Sequence, residues 1–165
     1  MTKRIDELAA GYLPALVLFT ATELALFEAI ASVEGPCSLV ELAQRIHATL
    51  DGTTRLCRAL AALELLALDD GHVRLTADAE ALIGEAAAPL RAMLTVHRRH
   101  LLPPLTRLAQ AVRTGTPQHA AWPFASIPIA ETPYDELARH PAELRTLALA
   151  MDHGSVGVEI GRAHV

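Results

Sequence analysis

One Asp70-Gly71 pair, with Leu68 before it and Val73 and Leu75 after it, interrupts a sequence whose apolar residues otherwise recur at helical spacing. Asp-Gly suits the two positive backbone dihedrals of a tight hairpin turn, so two short strands flank it in a helical setting. Upstream, Ser38 with Glu41 three residues later forms a capping box that opens a short helix through Leu39, Leu42, Ala43 and Ile46. Asp51 is read as the cap of a longer helix through Thr53, Leu56, Leu60 and Leu63, and Thr76 caps the segment after the hairpin. Helix, short helix, helix and hairpin in that order specify a winged helix-turn-helix. The fold expected is mostly α, with extra helices at both ends of this unit.

Composition agrees with helices. Hydrophobic residues make up 52% of the 165, aromatics only 4%, and alanine and leucine dominate. Those two lose little on entering a helix, whereas a sandwich draws on Val, Ile, Thr and aromatics. Net charge is −5 and Lys3 is the sole lysine, the wrong balance for a protein that neutralises phosphates. Cys37 and Cys57, lacking any ligand spacing, are read as small buried hydrophobes. Asp6 and Glu7 interrupt any signal-like apolar run, and no stretch reaches the roughly 18 apolar residues of a membrane span. The expectation is a cytoplasmic protein that does not enter a membrane.

Leu8, Tyr12, Leu16 and Phe19 line one face of an N-terminal helix that Pro14 bends or interrupts. Thr20 and Glu23 form a capping box, from which a second helix is expected to start. Leu24, Ala25, Leu26 and Phe27 are apolar in succession, so this helix needs cover on more than one side. A second protomer is the natural cover. Leu8, Tyr12, Leu16, Phe19, Leu24, Leu26 and Phe27 form the expected homodimer interface.

Helical spacing returns at Ala86 and passes through Leu90, Leu94 and His97, with a break expected at Pro103-Pro104. Leu105, Leu108 and Val112 come next, and Gly115 ends that helix. Residues 118–132 read as a loop holding the single tryptophan, Trp122, near Phe124. Thr132-Pro133 opens another helix, and a last one begins near Pro141, runs past Met151 and weakens at Gly154 and Gly157.

Three polar or aromatic features compete for function. Arg55 and Arg58 could face DNA, but Asp69 and Asp70 put like charge where a wing meets phosphates, which argues against a nucleic-acid partner. His97 and His100 share a helix face, yet no third and fourth ligand stand at metal spacing, so no metal is assigned and a solvated or interface face is the plain reading. Trp122 and Phe124 either plug their own domain or stack on a flat ligand or a partner.

Thr20–Phe27, then Ser38–Ala43 with Thr54–Leu63 and Arg74–Thr76, then Leu108–Pro117 with Tyr134–Ala138, Pro141 and Ala150-Met151 carry a family likeness. In this order they resemble the N-terminal, dimerising region of class I S-adenosylmethionine-dependent O-methyltransferases of the bacterial polyketide, natural-product type. The resemblance implies an intertwined dimer and three parts: dimerisation helices and winged helix over 1–85, an acceptor-roofing helical extension over 86–155, and a tail over 156–165. It implies a small aromatic acceptor bound near His97, His100, Trp122, Phe124 and Met151. It also implies S-adenosylmethionine as the donor of a full-length relative or partner.

No cofactor is expected in this chain. Gly154, Gly157 and Gly161 come after helical sequence, where a donor site needs a strand running into a glycine turn. The expectation is therefore a truncated or split methyltransferase without its donor domain, with no catalytic residue assigned and no catalysis by this chain alone. The alternatives are a winged-helix transcriptional regulator and a partner subunit docking on a separate methyltransferase chain.

Overall fold

A computed structural model describes residues 3–162, with side chains through His153. The chain divides into two compact units, residues 1–87 and 88–165.

In the first unit, α1 (Lys3–Ala10) and α2 (Leu13–Glu23) are separated at Gly11-Tyr12, with Pro14 in the first turn of α2, where its missing N–H costs nothing. The expected helix start at Thr20 is corrected. Thr20 lies inside α2, and its hydroxyl donates back to the Leu16 carbonyl at 2.8 Å rather than capping a new helix. The chain breaks a few residues later, where Ala25 takes φ +51°. That left-handed residue redirects the backbone, so that α3 (Leu26–Ala31) sinks Leu26, Phe27 and Ile30 into the core.

Strand β1 (Cys37–Ser38) leads into α4 (Leu39–Arg45), whose Glu41 amide donates to Ser38 Oγ at 3.2 Å, as the capping box requires. The Glu41 carboxylate turns to Arg45 instead of returning to the cap. Helix α5 (Leu50–Ala62) corrects a second expectation: Thr49, not Asp51, is its cap, accepting from the Gly52 amide at 3.2 Å. Asp51 is in the first turn and pairs with Arg55.

Strands β2 (Leu66–Asp69) and β3 (His72–Leu75) pair antiparallel from Leu66↔Leu75 to Asp69↔His72. Asp70 and Gly71 take φ +42° and +74°, the turn read from the sequence. Strand β1 pairs with the other edge of β3, giving the order β1-β3-β2. Thr76 closes the sheet on α6 (Ala77–Glu80), accepting from the Ala79 amide. Cys37 and Cys57 are free and buried, and burial raises both thiols, that of Cys57 to about 11.

In the second unit, α7 (Ala88–Val96) packs Ala92 and Val96 against Ala150 of α11 (Pro141–Arg162). The expected break at Pro103-Pro104 is also corrected. Helix α7 widens into a π-turn over His97–Leu101, and the prolines then occupy the first turn of α8 (Leu102–Leu105). Helix α9 (Leu108–Thr114) ends at Gly115, φ +67°. Thr132 caps α10 (Pro133–Ala138) through the Asp135 amide at 3.1 Å. The backbone of α11 stays helical through Gly154 and Gly157 to Arg162, so the expected weakening there is not seen. Residues 163–165, and with them the end of the 156–165 tail, lie outside the described residues.

The cap assignment is testable. Thr49→Ala removes the hydroxyl that closes the start of α5 and is expected to cost about 1 kcal/mol in urea unfolding. Asp51→Ala loses only an exposed pair and should cost less than half as much. Equal losses would return the cap to Asp51.

Candidate functional site

The second unit's polar and aromatic groups converge because two prolines leave helix carbonyls without donors. In a regular helix the amide of residue 104 would bond the carbonyl of residue 100, and Pro104 has no N–H to give. The Trp122 indole N–H takes that carbonyl instead, at 2.7 Å. This bond pins the 118–132 loop beside the π-turn. Trp122 stacks on Phe124 with centroids 5.1 Å apart and planes at 26°. The His100 ring tilts against Phe124 at 5.1 Å and Trp122 at 5.9 Å. The Arg99 guanidinium lies 5.9 Å from the Phe124 ring centroid, a cation–π distance.

Glu143 of α11 joins the two ends of this cluster. Its carboxylate accepts from Arg99 and, at 2.9 Å, from His100 Nε2. Burial pushes the Glu143 carboxyl up, but the hydrogen bonds and charges of Arg99 and His100 outweigh it and hold it below the ordinary range. An ionised carboxylate only accepts, so the Nε2 of His100 carries a proton. His100 is only 4% exposed, and its Nδ1 is buried without a partner.

A second carboxylate organises the neighbouring loop. Glu136 is fully buried and bridges the amides of Ser126 and Ala130, the latter at 2.9 Å, while accepting from His140 Nε2 at 3.0 Å. Burial raises its carboxyl, yet the hydrogen bonds from Ser126, Ala130 and His140 prevail and bring it to about 2. Ser126 Oγ also meets His140 Nε2, at 3.1 Å. Serine and carboxylate thus share one ring nitrogen, which is not the relay of a hydrolytic triad, where they occupy opposite nitrogens. His119 donates Nε2–H to the Ala130 carbonyl at 2.8 Å, and its ring meets Trp122 edge-on at 5.7 Å.

The structure therefore brings His100, Trp122 and Phe124 together. His97 is exposed on the π-turn and Met151 is 62% exposed on α11. Arg99, Glu136, His140 and Glu143 were not legible in the sequence, because Glu143 meets Arg99 and His100 across more than forty residues with no motif linking them. Among the described residues no three His, Cys, Asp or Glu side chains are grouped to hold a metal. Nor do these residues fit a methyl-donor nucleoside. The sheet is short and antiparallel, and its strands enter helices through the capping hydroxyls of Ser38 and Thr76 rather than a glycine turn.

The first unit holds the apolar residues assigned to an interface. Leu8 and Tyr12 are 67% and 56% exposed, and Leu16, Phe19 and Leu24 are half-buried. Leu26 and Phe27 are withdrawn from the interface set: the Ala25 turn buries both in the protomer's own core. The expectation of no membrane-length apolar run is likewise corrected. The 21 residues Lys3–Glu23 are apolar and long enough to cross a membrane by length and composition, and only 11% of the most apolar window is buried.

Residues 6–84 match the family model for the O-methyltransferase dimerisation domain, which takes in most of this apolar arm together with the sheet. Residues 6–84 are thus similar to an O-methyltransferase dimerisation domain. Solved structures with a similar fold include human N-acetylserotonin methyltransferase in complex with SAM, at 24% identity and TM-score 0.73, covering 89% of this chain and 43% of that one. PigF with SAH aligns at 21% identity and TM-score 0.80, covering 94% and 45%. The pyocyanin biosynthetic protein PhzM aligns at 23% identity and TM-score 0.75, covering 93% and 44%. The chain thus spans less than half the length of these structures. A comparison with curated proteins found no match.

The Glu136 carboxyl dictates how the second unit responds to acid. Its folded value, about 2, lies below the ordinary 4.5, so its contribution is complete above pH 4.5 and is lost as pH falls through about 2. Glu136→Gln should lower stability at pH 7 and take up about one proton fewer on acid unfolding, so that the two stability curves converge towards pH 2. A gap between them that is constant from pH 7 to pH 2 would overturn the assignment.

Proposed function

We propose that this chain is the dimerising and acceptor-facing half of a small-molecule O-methyltransferase of the natural-product type. The match of residues 6–84 to the dimerisation domain carries this reading. It also gives the apolar arm a purpose, because a dimerisation domain needs a large uncovered apolar surface. Obligate homodimers typically bury about 2,000 Å² or more of core-like surface. Each large side chain moved from water into such a contact is worth about 2 kcal/mol. A winged helix within a homodimer agrees with the order α4, α5, β2, β3 and with the flanking strand β1. A protein partner accounts for α1 and α2 better than lipid does, since Gly11, Pro14, Thr20 and Thr22 punctuate the arm and the family match runs through it. This reading places the protein in the cytoplasm.

The second unit supplies one wall for an aromatic acceptor, with the Trp122–Phe124 stack as its flat face. The methyl donor is held by polypeptide outside the described residues, whether in a further domain or in a separate chain. Methyl transfer needs donor and acceptor oxygen in line, so the task of this half is to hold the acceptor and fix the geometry of the dimer.

In aqueous buffer without detergent the purified chain is expected to sediment at about twice its 17.7 kDa protomer mass. Replacing Leu8 and Tyr12 together by glutamate should leave helix content intact and shift the mass to one protomer. A wild-type chain that sediments as one protomer at micromolar concentration would sink the dimer reading.

A further inference from the structure

Between Glu85 and Glu131 the chain carries no acidic residue but five arginines, Arg91, Arg98, Arg99, Arg107 and Arg113, although the protein as a whole stands at −5. The opposite holds just upstream. Residues 64–85 hold six acids, Glu64, Asp69, Asp70, Asp78, Glu80 and Glu85, against Arg74 alone. Each stretch also presents uncovered apolar surface. Leu101, Leu105, Leu108 and Val112 recur at intervals of four, three and four, the spacing of one helix face, and all four are exposed. Helix α9 buries none of its residues in the protomer. Arg107 and Arg113 are exposed on the same segment and form no ion pair among the described residues. In the first unit, a cleft of about 850 Å³ lies beside the sheet, lined by the apolar Ile30, Val33, Leu75 and Ile83 together with Arg74 and Glu80. A smaller cleft of about 310 Å³ shares Arg74 with it and is lined by Asp69 and Asp70. Arg74 is the one arginine or lysine lining either cleft, against three acids.

We propose that the Leu101–Val112 face of one protomer docks in the sheet cleft of a second copy, with Arg107 and Arg113 against the partner's Glu80, Asp69 and Asp70. The proposal rests on the self-association reading and names a contact for it that is separate from the α1–α2 arm. The match is double, in charge and in hydrocarbon. Opposite charge steers the two faces together, and the apolar row then supplies the contact area that charge alone does not. The same face of a second copy is a poor occupant, because arginine would meet arginine across the two-fold axis. The acidic cleft is the one complement that this chain itself provides. In a two-fold dimer the contact forms twice, since each protomer offers both the face and the cleft.

The test co-expresses Val112→Cys and Ala67→Cys on full chains of different tag length and oxidises them. Ala67 is exposed and lines the larger cleft, and the native Cys37 and Cys57 are buried. A disulfide should join the two different variants in preference to either variant with itself, and its yield should fall as salt screens the charges. Arg107→Glu with Arg113→Glu on the first chain should cut that yield about tenfold, with helix content unchanged by circular dichroism. Glu80→Arg with Asp69→Arg on the second chain should then restore it. A dimeric mass without the mixed disulfide overturns the docking and leaves the arm-built dimer standing, whereas a single-protomer mass removes both. Binding of the wild-type chain to phosphatidylglycerol vesicles, abolished by Arg107→Glu with Arg113→Glu and unaccompanied by a mixed disulfide, gives the face to an anionic lipid surface and overturns the docking as well.

Discussion

An apolar helical arm that its own protomer leaves largely uncovered is the constraint around which the first unit is built. Residues Lys3–Glu23 carry enough hydrocarbon to bind a second surface, yet the core of the unit is closed beneath them by Leu26, Phe27, Ile30, Leu42, Leu60 and Val73. The Ala25 turn makes both facts possible. By switching the backbone to a left-handed conformation between α2 and α3, it sends the next two apolar side chains inward, while those of α1 and the start of α2 remain outside. A continuous helix from Leu13 to Ala31 would have spread these residues around one axis and satisfied neither face. The strain of a non-glycine residue at φ +51° is therefore the local cost of separating a core from an uncovered apolar arm.

The second unit solves a different problem, which is to hold irregular backbone rigidly. Proline at 103 and 104 removes donors, and the π-turn and the 118–132 loop expose more backbone groups than helices alone can satisfy. Two carboxylates and one indole answer this. Glu136 ties the Ser126 and Ala130 amides, Glu143 ties Arg99 to His100, and Trp122 takes the orphaned carbonyl. Glu136 and Trp122 serve backbone groups that have no local partner, whereas Glu143 ties two side chains of the π-turn to α11. The cluster is held together by those bonds.

How much the sequence disclosed depends on the range of the physics involved. The Ser38 cap, the Asp70-Gly71 turn, the Gly115 stop and the Thr132 cap are settled within about four residues, and each was readable. The failures came where two local signals competed. Thr20 looks like a cap, but the Leu16 carbonyl was equally near and the helix continued. Thr49 stands two residues before Asp51 and reached the free amide first. Pro103-Pro104 reads as a break until the preceding π-turn is known to place both prolines at a helix start. Leu26 and Phe27 carry the same apolar signal as Leu8 and Tyr12, and periodicity cannot tell a side chain buried in its own core from one awaiting a partner. Glu136 and Glu143 were invisible for a simpler reason: nothing in their neighbourhoods distinguishes a buried carboxylate from a solvated one.

The two glutamates also explain why the aromatic cluster can be both buried and polar. An isolated carboxylate in such a setting would protonate rather than stay charged. Each here is ionised because it meets several donors at once, two of them backbone amides in the case of Glu136 and a guanidinium in the case of Glu143. The charge then has a structural consequence beyond its own bonds. A permanent acceptor beside an imidazole keeps a proton on the nitrogen that faces it, so Glu143 fixes the Nε2–H of His100. The orientation of a ring on the π-turn is thereby set by a residue of α11.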